Sequence, residues 1–173
     1  MKYKKWNLAA PEGRAVQELR RAGLPALAAV VLCARGLDTP AAAEGFLSAG
    51  EAPLHDPFLL RDMDRAVSRL TLALERREPI AVYGDYDVDG ITATCLLTEF
   101  LRSRGGSVIP YIPDRMEEGY GLNREAVDHL FQEGVRLIVT VDCGITAAAE
   151  TDYANRLGME VIITDHHECK EVL

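Results

Sequence analysis

Acidic residues and histidines follow three apolar runs in this 173-residue sequence. Carboxylates that crowd together repel one another unless a cation lies between them, so such residues are candidates for divalent metal binding. Carboxylates alone suit Mg²⁺ or Ca²⁺, and a carboxylate-rich set with histidine suits Mn²⁺. The acidic residues and histidines are more numerous than the four ligands of a tetrahedral zinc site. Their number fits two ions that activate water for attack on phosphorus. The candidates are Asp85, Asp87, Asp89, Asp142, Asp165, His166 and His167.

A further stretch, residues 112–122, could contact a substrate phosphate. Arg115 could bind two phosphate oxygens at once, and Tyr120 could stack or form a hydrogen bond beside it. Gly119 and Gly121 would allow close approach of the backbone. The alternative is an ordinary loop with a surface arginine, and this stretch does not decide between the two.

For these residues to act together, the chain must bring them to one place. Four β-rich runs alternate with three helix-like stretches, which predicts an α/β fold with a parallel sheet and helices on both faces. Ligands in such sheets gather at the carboxyl ends of the strands, where we expect the acidic turns to meet, with Asp142 as the bridging ligand on a central strand. The predicted strands are Ile80–Tyr83, Ser107–Ile112, Arg136–Val141 and Met159–Thr164, and the predicted helices are Ile91–Arg104, Arg124–Glu133 and Ala147–Leu157.

Residues 1–77 read as a helical segment, and residues 78–173 as the first part of the α/β domain. Thr39-Pro40 is typical of a helix start, and Asp62 is expected to cap a longer helix that closes before Pro79. A basic cluster near the N-terminus includes Tyr3 and Trp6 and could stack on bases, although a frayed terminus explains it equally well.

Composition narrows the classes of function. Hydrophobic residues make up 48% and charged residues 27%, which argues against a disordered chain. The net charge of −8 disfavours a nucleic-acid binder that relies on a bulk positive field. No apolar run is long enough to span a membrane, so no membrane partner is expected. The four cysteines form no CxxC pair, and we expect a reduced, cytoplasmic protein.

Each candidate also has an ordinary structural explanation. Asp89 could cap the following helix, Asp142 could be a turn residue, and adjacent histidines are often solvated surface. Cys143 and Cys169 are better explained as isolated thiols than as zinc ligands. These explanations would all have to hold at the same sheet edge, which favours the metal site.

Four motifs stand at the ends of the predicted strands: GDYDVDGITAT, IPDR with EGYGL, TVDCGI and TDHH, which begin at residues 84, 112, 140 and 164. Together they resemble the DHH phosphoesterase superfamily, and within it the bacterial single-strand-specific 5′→3′ DNA exonucleases. The resemblance covers essentially the whole chain, including Trp6 and residues 56–67. It implies a metal-dependent hydrolase that removes nucleotides from single-stranded DNA in repair and recombination.

The resemblance also implies roles for individual residues. Two Mn²⁺ or Mg²⁺ ions would be held by Asp87, Asp89, Asp142 and His166. His167 would face the scissile phosphate with Asp165 orienting the histidines, and Arg115 would lie on the substrate side with residues 118–122. Small-substrate members carry a histidine where this sequence has Tyr83, and Asp85 is expected to compensate as a metal ligand.

Other hypotheses remain open from the sequence. The family pattern continues beyond residue 173, so we expect a fragment that binds metal weakly and has little activity alone. Its implied partners are single-stranded DNA and, in the complete protein, a single-strand-binding protein and a helicase. The alternatives are a phosphodiesterase for oligoribonucleotides, cyclic dinucleotides or pyrophosphate, and a non-catalytic binding scaffold. A receiver-like phospho-acceptor is disfavoured because no lysine occurs between Lys5 and Lys170.

Overall fold

A computed structural model describes residues 8–48, 54–116 and 118–169. The chain forms two compact units, Met1–Asp56 and Pro57–Leu173. Tyr3 and Trp6 lie outside the described residues. No helix among the described residues is long and apolar enough to cross a bilayer.

The described residues of the first unit form three short helices: α1 (Gly13–Arg21), α2 (Ala26–Ala34) and α3 (Pro40–Leu47). Thr39 caps α3 as its spacing predicts, because its side chain accepts a hydrogen bond from Ala42 N at 3.3 Å. Leu19, Ala29 and Leu32 lie in a small apolar core between the helices.

In the second unit, the part of the chain that the structure describes forms a parallel sheet and four α-helices. A 3-10 helix (Pro57–Leu59) precedes them. The order along the chain is α4 (Met63–Arg76), β1 (Ile80–Gly84), α5 (Val88–Ser103), β2 (Val108–Tyr111), α6 (Arg124–Gln132), β3 (Leu137–Val141), α7 (Ala148–Arg156) and β4 (Glu160–Thr164).

The strands lie in the order β2-β1-β3-β4, and every neighbouring pair is parallel. Strands β1 and β3 are central and fully buried, since both faces are covered. On one face of the sheet, Ala81 and Ile138 pack with α6 and α7. On the other face, Val82 and Val139 pack with Ala73 of α4 and Leu101 of α5. This arrangement confirms the predicted parallel α/β fold with helices on both faces.

Two features at the start of this unit differ from the sequence interpretation. The predicted boundary at residue 77 would separate α4 from the sheet, but the compact units divide after Asp56 and α4 packs on the sheet. The prediction that the Asp62 side chain caps α4 is wrong. Asp62 adopts a left-handed backbone with φ of 56°, and its carboxylate pairs with Arg61 and Arg65 and makes no cap bond.

Candidate metal centre

Three strand ends bring their acidic turns together at one edge of the sheet. The ligand atoms of Asp85, Asp87 and Asp142 lie within 4.8 Å of one another, and so do those of Asp142, His166 and His167. Asp142 belongs to both groups because it follows β3, which lies between β1 and β4. The expected convergence is present, and Asp142 occupies the position that a bridging ligand would need.

Close packing between β1 and α5 fixes the first acidic turn. A Cβ atom added at Gly90 would lie 2.4 Å from the Asp85 carbonyl oxygen, and one added at Gly84 would lie 2.0 Å from Thr94 Oγ1. No side chain fits at either position. Asp87 is the N-cap of α5, and its Oδ1 accepts from the N–H groups of Asp89 and Gly90 at 3.0 Å each.

Asp142 has an unusual backbone conformation. Its φ of 61° lies in the left-handed region, which aspartate and asparagine tolerate better than most residues. Asp142 N donates to Thr164 O at 3.0 Å, which ties this turn to the end of β4. The side chain is only 8% exposed, and its Oδ1 lies 3.0 Å from His166 Nε2.

Asp165 organises the third turn. Its Oδ2 accepts from Ile145 N at 2.9 Å, and its Oδ1 accepts from His167 N at 3.0 Å and lies 2.7 Å from His167 Nδ1. Burial opposes ionisation of Asp165, but these hydrogen bonds outweigh it and lower the pKa of the carboxyl. The same contact with Asp165 raises the pKa of His167, so an imidazolium is favoured beside the acidic cluster.

The electrostatics and the donor chemistry fit a divalent cation. Asp85 is 4% exposed, and burial, followed by the charges of Asp87 and Asp142, raises its pKa above the usual value. Carboxylate oxygens are the donors that Mg²⁺ and Mn²⁺ sites use, and the added imidazole nitrogen favours Mn²⁺. Burial raises the pKa of the nearby Cys143 thiol to about 12, and among the described residues this cysteine belongs to neither ligand group.

The loop of residues 112–122 forms one side of this site. The Arg115 guanidinium lies 5.2 Å from the centre of the Tyr86 ring, which makes an edge contact with Tyr120 at 6.3 Å. Tyr120 in turn makes an edge contact with His167 at 6.1 Å. A cavity of about 490 Å³ lies here, and its lining includes Asp85, Asp87, Arg115, Tyr120, Asp165 and His167.

Some predicted residues do not join the cluster. Asp89 is exposed in the first turn of α5, and among the described residues it belongs to neither ligand group. Gly119 and Gly121 have φ near +80°, so they shape the loop through their backbone. Sequence reasoning did not single out Tyr86 or the Ile145 N–H, although both lie next to strand ends and line the cavity.

Comparison with known proteins places this geometry in a family. The "DHH family, N-terminal domain" matches residues 79–173, which include every strand of the sheet as well as His166 and His167. The chain belongs to the DHH family. Within the DHH family, similar curated proteins carry the name single-stranded-DNA-specific exonuclease RecJ.

RecJ of Bacillus subtilis is 41% identical over 165 residues, which are 95% of this chain and 21% of that protein. RecJ of Thermus thermophilus is 47% identical over 109 residues, or 62% of this chain and 16% of that protein. The chain therefore spans about a fifth of the length of the curated relatives that it matches.

Solved structures agree with this placement. A crystal structure of exonuclease RecJ bound to manganese superposes with a TM-score of 0.63 at 44% identity and covers 69% of this chain and 31% of that one. The structure of RecJ from Thermus thermophilus in complex with Mn²⁺ gives a TM-score of 0.64 at 32% identity, and the match covers 95% of this chain and 23% of that one. Both are described as proteins that bind Mn²⁺, which agrees with the donor set found here.

Proposed function

We propose that this chain is the metal-binding part of an exonuclease that hydrolyses phosphodiester bonds of single-stranded DNA in the 5′→3′ direction. The observation that carries the proposal is the convergence of Asp85, Asp87, Asp142 and His166 at one sheet edge in a DHH-family chain. The similarity to RecJ proteins supports DNA as the substrate class.

The residues fit two divalent ions, Mn²⁺ or Mg²⁺, with Asp142 shared between them. Asp85 and Asp87 would complete one position, and His166 the other. The chemistry that such ions supply is activation of water and neutralisation of charge on the phosphate. Asp89, which is exposed and lies outside both groups in the metal-free chain, would be a further ligand.

The remaining side chains would orient the substrate. His167 is held by Asp165 through its Nδ1, and the charged form of the ring, which this contact favours, can donate a hydrogen bond from Nε2 to a phosphate oxygen. Arg115, stacked on Tyr86, presents a second cation in the lining of the same cavity. Tyr120 makes edge contacts with the rings of both Tyr86 and His167 and can contact a sugar or base.

The biological setting is part of the same proposal. A role in DNA repair and recombination, with a single-strand-binding protein and a helicase as partners, would follow from the similarity to RecJ. A cytoplasmic location would suit the four cysteines, all of which are free thiols.

Calorimetric titration of Mn²⁺ into the purified chain tests the metal site. The best variant is Asp142→Asn, because asparagine tolerates the left-handed backbone at this position and changes only the charge and one donor atom. We expect the variant to lose at least about tenfold in affinity, since it removes the negative charge of the one residue that belongs to both groups. Equal binding by the two proteins would refute the shared position of Asp142.

A chimera tests the substrate. This chain would replace the matching 165-residue segment of Bacillus subtilis RecJ, and cleavage of a 5′-phosphorylated single strand would be compared with that of a duplex and a dinucleotide. We expect selective cleavage of the single strand and loss of activity with Asp142→Asn. Preference for the dinucleotide would favour the small-substrate alternative, and an inactive chimera that binds Mn²⁺ normally would favour a binding scaffold.

A further inference from the structure

A polar network lies beneath the loop that carries Arg115 and Tyr120. At its centre is the Glu118 carboxylate, which accepts three hydrogen bonds. Its Oε2 accepts from Tyr111 Oη at 2.7 Å and Asn123 Nδ2 at 3.3 Å, and its Oε1 accepts from Asp114 N at 2.9 Å. One side chain therefore joins the end of β2, the start of α6 and the loop between them.

Asn123 extends the network to the strand that precedes the acidic cluster. Its Nδ2 also donates to Tyr83 Oη at 3.2 Å, and its Oδ1 accepts from Ala126 N at 2.8 Å as the cap of α6. The Tyr83 hydroxyl is buried and donates to Gly121 O at 2.8 Å. The C-terminal end of the loop is thus fastened to β1, which leads directly into Asp85.

The backbone of the loop closes around the same carboxylate. Both Glu118 N and Gly119 N donate to Asp114 O, at 2.9 and 3.2 Å. Because Asp114 N donates back to the Glu118 side chain, the turn is held by bonds in both directions. Arg115 lies within this turn, and Tyr120 follows it directly.

We propose that Glu118 is a positioning residue for the substrate side of the site: its carboxylate holds Arg115 over Tyr86 and Tyr120 beside His167. This inference rests on the proposed function, since these groups would face the DNA. Glu118 itself belongs to neither ligand group and is absent from the cavity lining, so it would act only through the loop.

A carboxylate suits this position because it only accepts hydrogen bonds. Tyr111 Oη, Asn123 Nδ2 and Asp114 N are all donors, and the two oxygens satisfy all three. A glutamine would place an amide NH₂ against at least one donor. Glu118→Gln should therefore release part of the loop while keeping the size of the side chain.

The test compares Glu118→Gln with Glu125→Gln, a control that removes the same charge from an exposed residue in the first turn of α6. Amide exchange by NMR would be measured for the whole chain in the absence of metal. We expect Glu118→Gln to speed exchange of the Glu118 and Gly119 amides by at least about tenfold, the factor expected for loss of a hydrogen bond to a charged group. Amides of β1 and β3 should not change.

The contact between the Tyr120 and His167 rings gives a second readout through nuclear Overhauser effects. We expect it to weaken in Glu118→Gln and to persist in Glu125→Gln. The milder variant Tyr111→Phe removes one donor, leaves the carboxylate in place, and should give an intermediate effect. The inference would be overturned if Glu118→Gln left both the amide exchange of the loop and the ring contact unchanged. Equal acceleration of exchange at all amides would also overturn it, because this result would show that Glu118 stabilises the whole unit and not the loop.

Ligand binding separates this inference from the proposed function. Mn²⁺ affinity should be the same in Glu118→Gln and the unsubstituted chain, whereas affinity for a 5′-phosphorylated oligothymidylate should fall by about tenfold, as for one lost charged contact. A parallel loss of Mn²⁺ affinity would overturn the assignment to the substrate side. If the unsubstituted chain binds neither probe, the proposed function fails, and the exchange data still decide whether Glu118 holds the loop.

Discussion

Neutralising Asp85 should stabilise the metal-free chain and weaken its response to metal. Asp85 is almost fully buried, and its ligand oxygen lies within 4.8 Å of those of Asp87 and Asp142. Two unit charges at that distance repel by about 3.5 kcal/mol at an effective dielectric constant of about 20, and by about 0.9 kcal/mol in water. Asp87 is exposed, so its repulsion of Asp85 lies near the value in water.

We therefore expect Asp85→Asn to raise the free energy of unfolding in EDTA by about 1–3 kcal/mol. The asparagine can keep its Oδ1 as the acceptor for Tyr86 N, which donates to Asp85 at 2.7 Å in the native chain. Mn²⁺ should offset much of this gain, because a ligand at about 100 times its Kd stabilises the native chain by about 2.7 kcal/mol and stabilises the variant less, since the variant lacks one anionic oxygen donor.

Urea unfolding followed by far-UV circular dichroism, with EDTA or Mn²⁺, measures both effects. Asp152→Asn is the control, since Asp152 is exposed on α7 and outside both ligand groups, and we expect it to change stability by less than about 0.5 kcal/mol. If Asp85→Asn is less stable than the native chain in EDTA, repulsion among the carboxylates does not destabilise the metal-free chain, and the prediction is wrong.

Three further predictions concern the same unit. Asp165→Asn should lower the pKa of His167 toward its ordinary value, because the carboxylate is the main cause of the shift, and an NMR titration with no change would contradict this. Gly90→Ala should cost at least about 2 kcal/mol in thermal unfolding because its Cβ would lie 2.4 Å from backbone, whereas Gly45→Ala in α3, where the space is open, should be neutral or stabilising. Burial opposes ionisation of Glu118, but its hydrogen bonds lower its folded pKa, so the stability that the native chain holds over Glu118→Gln should be present above about pH 4.5 and vanish as the pH falls below it. A constant difference from pH 7 to pH 3 would refute that sign.

The sheet and the meeting of its acidic turns were predictable because they depend on local patterns. Apolar runs of β-branched residues at crossover spacing specify parallel strands, and parallel strands place the turns that follow them at one edge. The position of Asp142 between two neighbouring strands follows from the same topology. The predicted strand limits differ from the observed ones by no more than one residue at any end.

Other features depend on geometry that spacing does not encode. Asp87 and Asp89 are two residues apart in the same turn. Their roles depend on the backbone conformation of this turn, in which Asp87 caps α5 and Asp89 faces solvent. The Glu118 network joins Tyr83 to Asn123 across 40 positions, and no local pattern indicates such a bond. Asp62 has the residue type and position of a helix cap, but its left-handed backbone turns the side chain toward arginines.

The closeness of β1 and α5 bears on how a descendant of such a chain that no longer binds metal would look. Gly84 and Gly90 are required by packing alone, because neither position has room for a methyl group. Asp85 and Asp87 meet no such steric demand, and the left-handed backbone of Asp142 admits an uncharged asparagine. Such a descendant could shed the carboxylates and still retain both glycines, so the glycines report the fold and the acidic side chains report whether the capacity to bind metal has been kept.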